Sequence, residues 1–155
     1  MSDPAPLAVR GRVASDTEKH AAGPVAGSTD LLVCITCRTA GAPPTLLEDA
    51  PRTGAVLAQR LARAALPPGV RVVPVECLSN CNRGCTIALR GGDRWTYVYG
   101  DLNPDTDLDA LIAGAARYHA SKDGLVPWRE RPEHFRKHCI ARIPPLSSTQ
   151  EVPHV

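Results

Sequence analysis

Aromatic side chains are scarce: three Tyr, two Trp and one Phe in 155 residues. That withholds the stacking platforms on which single-stranded nucleic acid or carbohydrate is bound. Charge of one sign is missing too. Eighteen Lys and Arg face sixteen Asp and Glu, net +2 with no long single-sign block, so nothing points to a polyanion or nucleic-acid partner. No segment approaches the roughly 20 apolar residues of a membrane span. The opening MSDPAPLAVRGRVASDTEKH lacks the apolar core of a signal peptide, so a membrane is not expected and the default compartment is the cytoplasm. Neither a Gly-rich phosphate loop nor a Ser-His-Asp or Cys-His pairing can be assembled, and the Asp residues at 101–109 read as turns and caps. No independent catalytic site is legible. The expectation is a carrier or binding module rather than an enzyme.

What is present is cysteine. Six of them, mostly in short motifs, read in a reducing compartment as metal ligands or redox thiols ahead of a disulfide framework. A chain of this length builds an adequate core without a staple, so size does not force a metal upon it.

Residues 1–29, rich in Ala, Pro, Gly and Ser, read as a disordered leader. Order is expected from Leu31, where Leu-Leu-Val runs into Cys34 as a short strand. Paired prolines in RTAGAPPTLLEDAP demand a loop. A helix over Arg52–Leu66 follows, with Val56, Leu57, Leu61, Ala64 and Ala65 on one face and Pro67-Pro68-Gly69 as its stop. The β-branched run VRVVPVE predicts a strand buried on both faces, parallel to the first, ending in Cys77. TIALR and RWTYVY form an antiparallel hairpin through Gly91-Gly92-Asp93. After the turn at Asn103-Pro104-Asp105-Thr106, the stripe Leu108, Leu111, Ile112, Ala115 and Tyr118 marks a second helix. The predicted order is β-α-β-β-β-α, a mixed four-stranded α/β sheet over residues 30–122. Residues 123–155 form a C-terminal tail without a convincing long element. It is expected to pack as a strap because Trp128, Phe135 and Ile140 need burial, the alternative being a docking segment.

Cys34-Ile-Thr-Cys37 and Cys77-Leu-Ser-Asn-Cys81 follow the first and second strands, which a βαβ crossover sets side by side at one sheet edge. Four thiolates can thus converge, as a tetrahedral zinc site or a cluster with two sulfur ligands per iron demands. Cys85 is a fifth thiol, an alternative fourth ligand or a spare. Gly84 would permit close backbone approach, and Arg38 and Arg83 would offset thiolate charge, unless they are solvated surface charges. Asn80 and Ser79 read as ordinary loop hydrogen bonding.

The topology and the CLSNC pair resemble the thioredoxin-like 2Fe-2S ferredoxins. CITCR, CLSNCNRGCTIAL, WTYVYGDL and the late RERP…ARIPP are similar to a bacterial family of predicted metal-binding proteins of ferredoxin-like type, of unknown function, over about residues 31–145. The resemblance implies a thioredoxin-like fold and cluster or metal binding, and it gives no reaction. The expectation drawn from the cysteine spacing together with it is a 2Fe-2S cluster on Cys34, Cys37, Cys77 and Cys81, in a one-electron carrier for a redox partner protein; a homodimer follows from ferredoxin analogy only. The first pair is more closely spaced than in those ferredoxins, which keeps zinc open as the alternative metal. Cys85 stands where they carry a small residue or proline.

Two further readings compete. A thiol-disulfide oxidoreductase would use Cys34 and Cys37, but that chemistry wants a helix N-terminus beside the first thiol, and a proline-containing loop follows instead. His134 and His138, at i and i+4 beside Cys139, could make a second metal site on one helical face; the plainer account is a solvated basic turn.

Overall fold

The computed structural model describes residues 27–39 and 50–148. Most of the expected leader, residues 1–26, and the greater part of the proline loop, 40–49, lie outside them. The central strand β1, Thr29–Cys34, is buried at every position. Helix α1, Thr53–Arg63, turns Leu57, Ala58 and Leu61 inward. It stops three residues before the expected end, with Ala64 already extended at ψ 156°. The cause is Pro67, whose ring cannot coexist with a helical turn whose carbonyl lies four residues back, at Arg63.

Strand β2, Val70–Val75, runs parallel to β1 with Thr29 opposite Val70 and Cys34 opposite Val75. It is not buried on both faces as its composition suggested. It is the sheet's edge and mostly half-buried, which is where Pro74, lacking an N–H for the ladder, can be accommodated. Strands β3, Ile87–Arg90, and β4, Thr96–Tyr99, pair antiparallel. Their connection uses Gly92 at φ +50°, a conformation that glycine adopts without penalty. Helix α2, Leu108–Ala120, buries Leu111, Ala115 and Tyr118.

The chain then adds elements the sequence did not announce. A short helix α3, Glu133–Lys137, leads into β5, Cys139–Ile143, which pairs antiparallel with β4. The sheet is therefore five-stranded, in the order β2-β1-β3-β4-β5, and not four-stranded. Phe135 is the anchor of this segment, buried and stacked on Tyr99 with ring centroids 4.1 Å apart. Gly114 of α2 makes room for it: a Cβ there would strike the Phe135 ring. Ile140 is half-buried, whereas Trp128 is 59% exposed, contrary to the burial its size suggested. The Arg131 guanidinium lies 5.8 Å from the Trp128 ring centroid, so cation–π contact at the surface accounts for part of that ring's environment. One core joins Leu31 and Val33 of β1, Leu57 and Leu61 of α1, Ile87 and Leu89 of β3, the β4 tyrosines and Leu111.

Asp30 is the exception inside this core. It is 2% exposed within the central strand, and its carboxylate accepts from Arg71 of β2 and Arg90 of β3 on the two flanking strands. A buried charge is tolerable only with such pairing.

Candidate metal centre

The parallel register of β1 and β2 brings the two cysteine motifs out at the same end of the sheet. Ile35 N–H donates to the Val75 carbonyl at 2.9 Å, and the Thr36 hydroxyl donates to the Glu76 carbonyl at 2.6 Å. Cys34 Sγ lies 3.7 Å from both Thr36 Oγ1 and the Glu76 carbonyl oxygen. The residue before Cys77 is thus in contact with the sulfur of Cys34. The side-by-side placement expected from the crossover is present in the structure.

The thiols nevertheless fall into two groups. Cys34, Cys37 and Cys85 are buried, at 1%, 1% and 0% exposure, while Cys77 and Cys81 are exposed. All are free thiols. Among the described residues, no three His, Cys, Asp or Glu side chains stand together as a ready-made metal-binding group.

Burial and mutual hydrogen bonding shift the pKa values of the inner thiols in opposite directions. Burial pushes against ionisation of Cys34, but hydrogen bonds from the Cys37 thiol, the Leu78 N–H and Thr36 outweigh it and hold its pKa below the ordinary thiol value. Cys37 carries the complementary shift, up to about 11, from burial and from donating to the neighbouring Cys34 sulfur. Cys85 is pushed up to about 12 by burial and by the nearby Cys37 and Cys34. Thr86, wholly buried, hydrogen-bonds to Cys37 through its side chain and backbone and accepts from Cys34 N–H at 3.1 Å. It has no counterpart in the sequence reading, because a lone Thr after a cysteine carries no signal.

The helix N-terminus that the sequence seemed to deny this site is present. Gly54, in the first turn of α1, donates its N–H to the Cys37 carbonyl at 3.0 Å. A Cβ on Gly54 would collide with the Cys34 carbonyl and come within 3.3 Å of Cys37 Cβ. The first turn of α1 therefore packs directly against the Cys34–Cys37 pair, and a helix N-terminus so placed favours negative charge nearby.

Gly84 meets its expectation of close approach: a Cβ there would stand 2.5 Å from the Arg38 carbonyl and 3.4 Å from Cys37 Sγ. Arg83 does not. Its guanidinium donates twice to Asp101 Oδ2, at 2.9 and 2.6 Å, and so is committed to a carboxylate and not to a thiolate. Asn80 Nδ2 donates to Thr86 Oγ1 at 3.0 Å, and Ser79 N–H donates to Cys77 Sγ at 3.2 Å. Both do more than ordinary loop bonding, since each touches a cysteine or its immediate support.

His134 and His138 do lie together, their rings stacked with centroids 4.3 Å apart. Each has a protein partner: His134 Nε2 donates to the Gly100 carbonyl at 2.9 Å, and His138 Nδ1 donates to Asp101 Oδ2 at 3.0 Å. They serve the packing of α3 against the 100–101 turn and form neither a metal group nor a solvated turn. Cys139 lies apart on β5, donating to the Ala141 carbonyl. Among the described residues, no helix is long and apolar enough to cross a membrane.

Residues 31–145 match the family described as Protein of unknown function (DUF1636), and the chain belongs to that family. No curated protein matches it. Among solved structures, a thioredoxin-like [2Fe-2S] ferredoxin from Aquifex aeolicus is similar at a TM-score of 0.40 and 15% identity, over 64% of this chain and 89% of that one.

Proposed function

We propose that the protein is a thiolate-ligated metal module that carries a 2Fe-2S cluster and passes single electrons to a partner protein. The observation that supports this reading is the meeting of the two cysteine motifs at one sheet edge, where the Glu76 carbonyl beside Cys77 touches the Cys34 sulfur. The donor chemistry fits the group: five thiols, three buried and two exposed, with the first turn of α1 packed beside Cys37. Cys34 and Cys37 would hold it from the core side, and Cys77 and Cys81 from the exposed loop. Cys85 is the alternative fourth ligand, and the inner position of its thiol raises its claim. A bound cluster supplies one-electron chemistry; the chain supplies ligands, burial on one side and exposure on the other.

The close spacing of Cys34 and Cys37 supports a second reading, a structural or metal-handling zinc site. A thiol-disulfide oxidoreductase is disfavoured on a different ground from the one the sequence offered. The helix N-terminus is there, but attack on a disulfide needs an accessible thiolate, and Cys34 and Cys37 are both 1% exposed.

Protein isolated without oxygen tests the choice through its visible spectrum. Charge-transfer absorption that bleaches on reduction is expected, lost in Cys81→Ser and retained in Cys85→Ser. Loss in Cys85→Ser with retention in Cys81→Ser would reassign the fourth ligand, and a colourless protein with bound zinc would replace the cluster reading by the zinc one.

A further inference from the structure

The loop from Cys81 to Cys85 is fastened from below by a segment that holds no cysteine. Cys85 and Leu102 exchange both backbone hydrogen bonds, each at 3.2 Å. Asp101 N–H donates to the Arg83 carbonyl at 2.6 Å, while the Asp101 carboxylate accepts from the Arg83 side chain. Asp101 is therefore bonded to Arg83 through both backbone and side chain. Gly100 completes the contact: a Cβ there would stand 2.7 Å from the Arg83 carbonyl and 2.8 Å from Asn80 Nδ2.

The same segment is fastened on its other side to the C-terminal part of the chain. Gly100 N–H donates to the His138 carbonyl at 3.1 Å, His138 Nδ1 donates to Asp101 Oδ2, and Ile140 Cδ1 would lie 3.1 Å from a Gly100 Cβ. Oδ2 of Asp101 is the shared acceptor of Arg83 and His138, and the two cations or donors hold its carboxyl below the usual carboxylate range, Arg83 foremost. Asp101 adopts φ +56°, a conformation rare outside Gly, Asn and Asp. Its backbone and side chain are both spent on joining two distant stretches of sequence.

We infer that Asp101 is a positioning residue for the cysteine loop: with His138 it couples the α3–β5 segment to Arg83 and thereby sets where Cys81 and Cys85 stand. The loop's importance rests on the metal reading above; its attachment does not. Release of the C-terminal segment, or of Asp101 itself, frees the ligand loop while leaving the Cys34–Cys37 pair, held by β1 and α1, in place.

Peptide-resolved alkylation of the reduced, metal-free, full-length protein with iodoacetamide tests this. Asp101→Asn is the informative variant because Asn tolerates positive φ at least as well as Asp, so the change removes charge and not backbone fit. Labelling of Cys85 should rise about tenfold or more through local opening of the loop, with Cys34 within about twofold of wild type. Unchanged Cys85 labelling would overturn the inference, and so would a parallel rise at Cys34, Cys85 and Cys139, which reports global destabilisation. His138→Ala should act in the same direction, and His138→Asn, whose amide can donate from nearly the Nδ1 position, should restore protection. If Asp101→Asn cannot be isolated folded, that pair decides, and equal labelling in the two His138 variants contradicts the coupling. A wild-type protein that takes up no iron and sulfide would sink the cluster reading and leave this result standing.

Discussion

The buried thiols of Cys34, Cys37 and Cys85 and the exposed thiols of Cys77 and Cys81 belong to one sheet edge but to different kinds of structure. The first two sit between a central strand and the first turn of a helix, and Cys85 is clamped to Leu102 just before β3. The outer two ride on a loop after an edge strand that includes a proline. The inner group is therefore paid for by folding and fixed by it. The outer group is exposed to solvent, with Cys77 held by the Ser79 N–H and Cys81 on the loop that Asp101 fastens through Arg83. Under the proposed metal reading, an incoming ion or cluster meets the exposed thiols first, and the buried thiols wait where folding has fixed them.

The largest expected contrast is kinetic. In the metal-free protein under native conditions, Cys77 and Cys81 should react with iodoacetamide on the order of a hundredfold faster than Cys34 and Cys37, since the inner pair reacts only through local or global opening. Mass spectrometry of labelled peptides reads this directly, and comparable rates would dissolve the distinction. Next in size is Gly84, where the loop meets the inner group. Gly84→Val should destabilise the fold by about 1–3 kcal/mol through overpacking against the Arg38 carbonyl and Cys37. Chemical denaturation of the metal-free protein measures it. Gly92→Val, where a Cβ meets nothing within 4 Å, is the control, because its cost would come from its positive φ and not from contact.

A smaller effect distinguishes the inner thiols by pH. Cys37 and Cys85 have folded pKa values raised from 9.0 to about 11 and about 12. Their contribution to stability is present below pH 9, where both states keep the proton, and is lost as pH rises through 11 and 12. Cys34, whose pKa is lowered, contributes in the opposite sense, above its unfolded value of 9.0, with the contribution lost as pH falls through the folded value. Denaturation of the metal-free protein between pH 8 and the upper limit of its folded range should show a decline that Cys37→Ser reduces. An unchanged slope in that variant would contradict the assignment.

The parts of this picture that sequence could show were those with local causes. Leu31–Val33 and Val70–Val75 announced strands delivering Cys34 and Cys77, Gly91-Gly92 announced the hairpin, and the stripe through Leu111, Ala115 and Tyr118 announced α2. Pro74 already carried the information that β2 is an edge, against the pull of its β-branched neighbours. What could not be read depended on distant pairing. CIARI alternates too weakly to declare β5, whose existence depends on β4 and on Phe135 stacking on Tyr99. The nearness of α1 to Cys37 is a contact between Gly54 and Cys37, 17 residues apart in the chain, so adjacency in sequence misjudged it. Asp101 looked like one turn residue among several; only its positive φ and its two partners single it out.

The most direct test of the central claim is the content of iron, acid-labile sulfide and zinc in the full chain isolated anaerobically. The account predicts about two irons and two sulfides per chain with no zinc; one zinc per chain with no sulfide would contradict it.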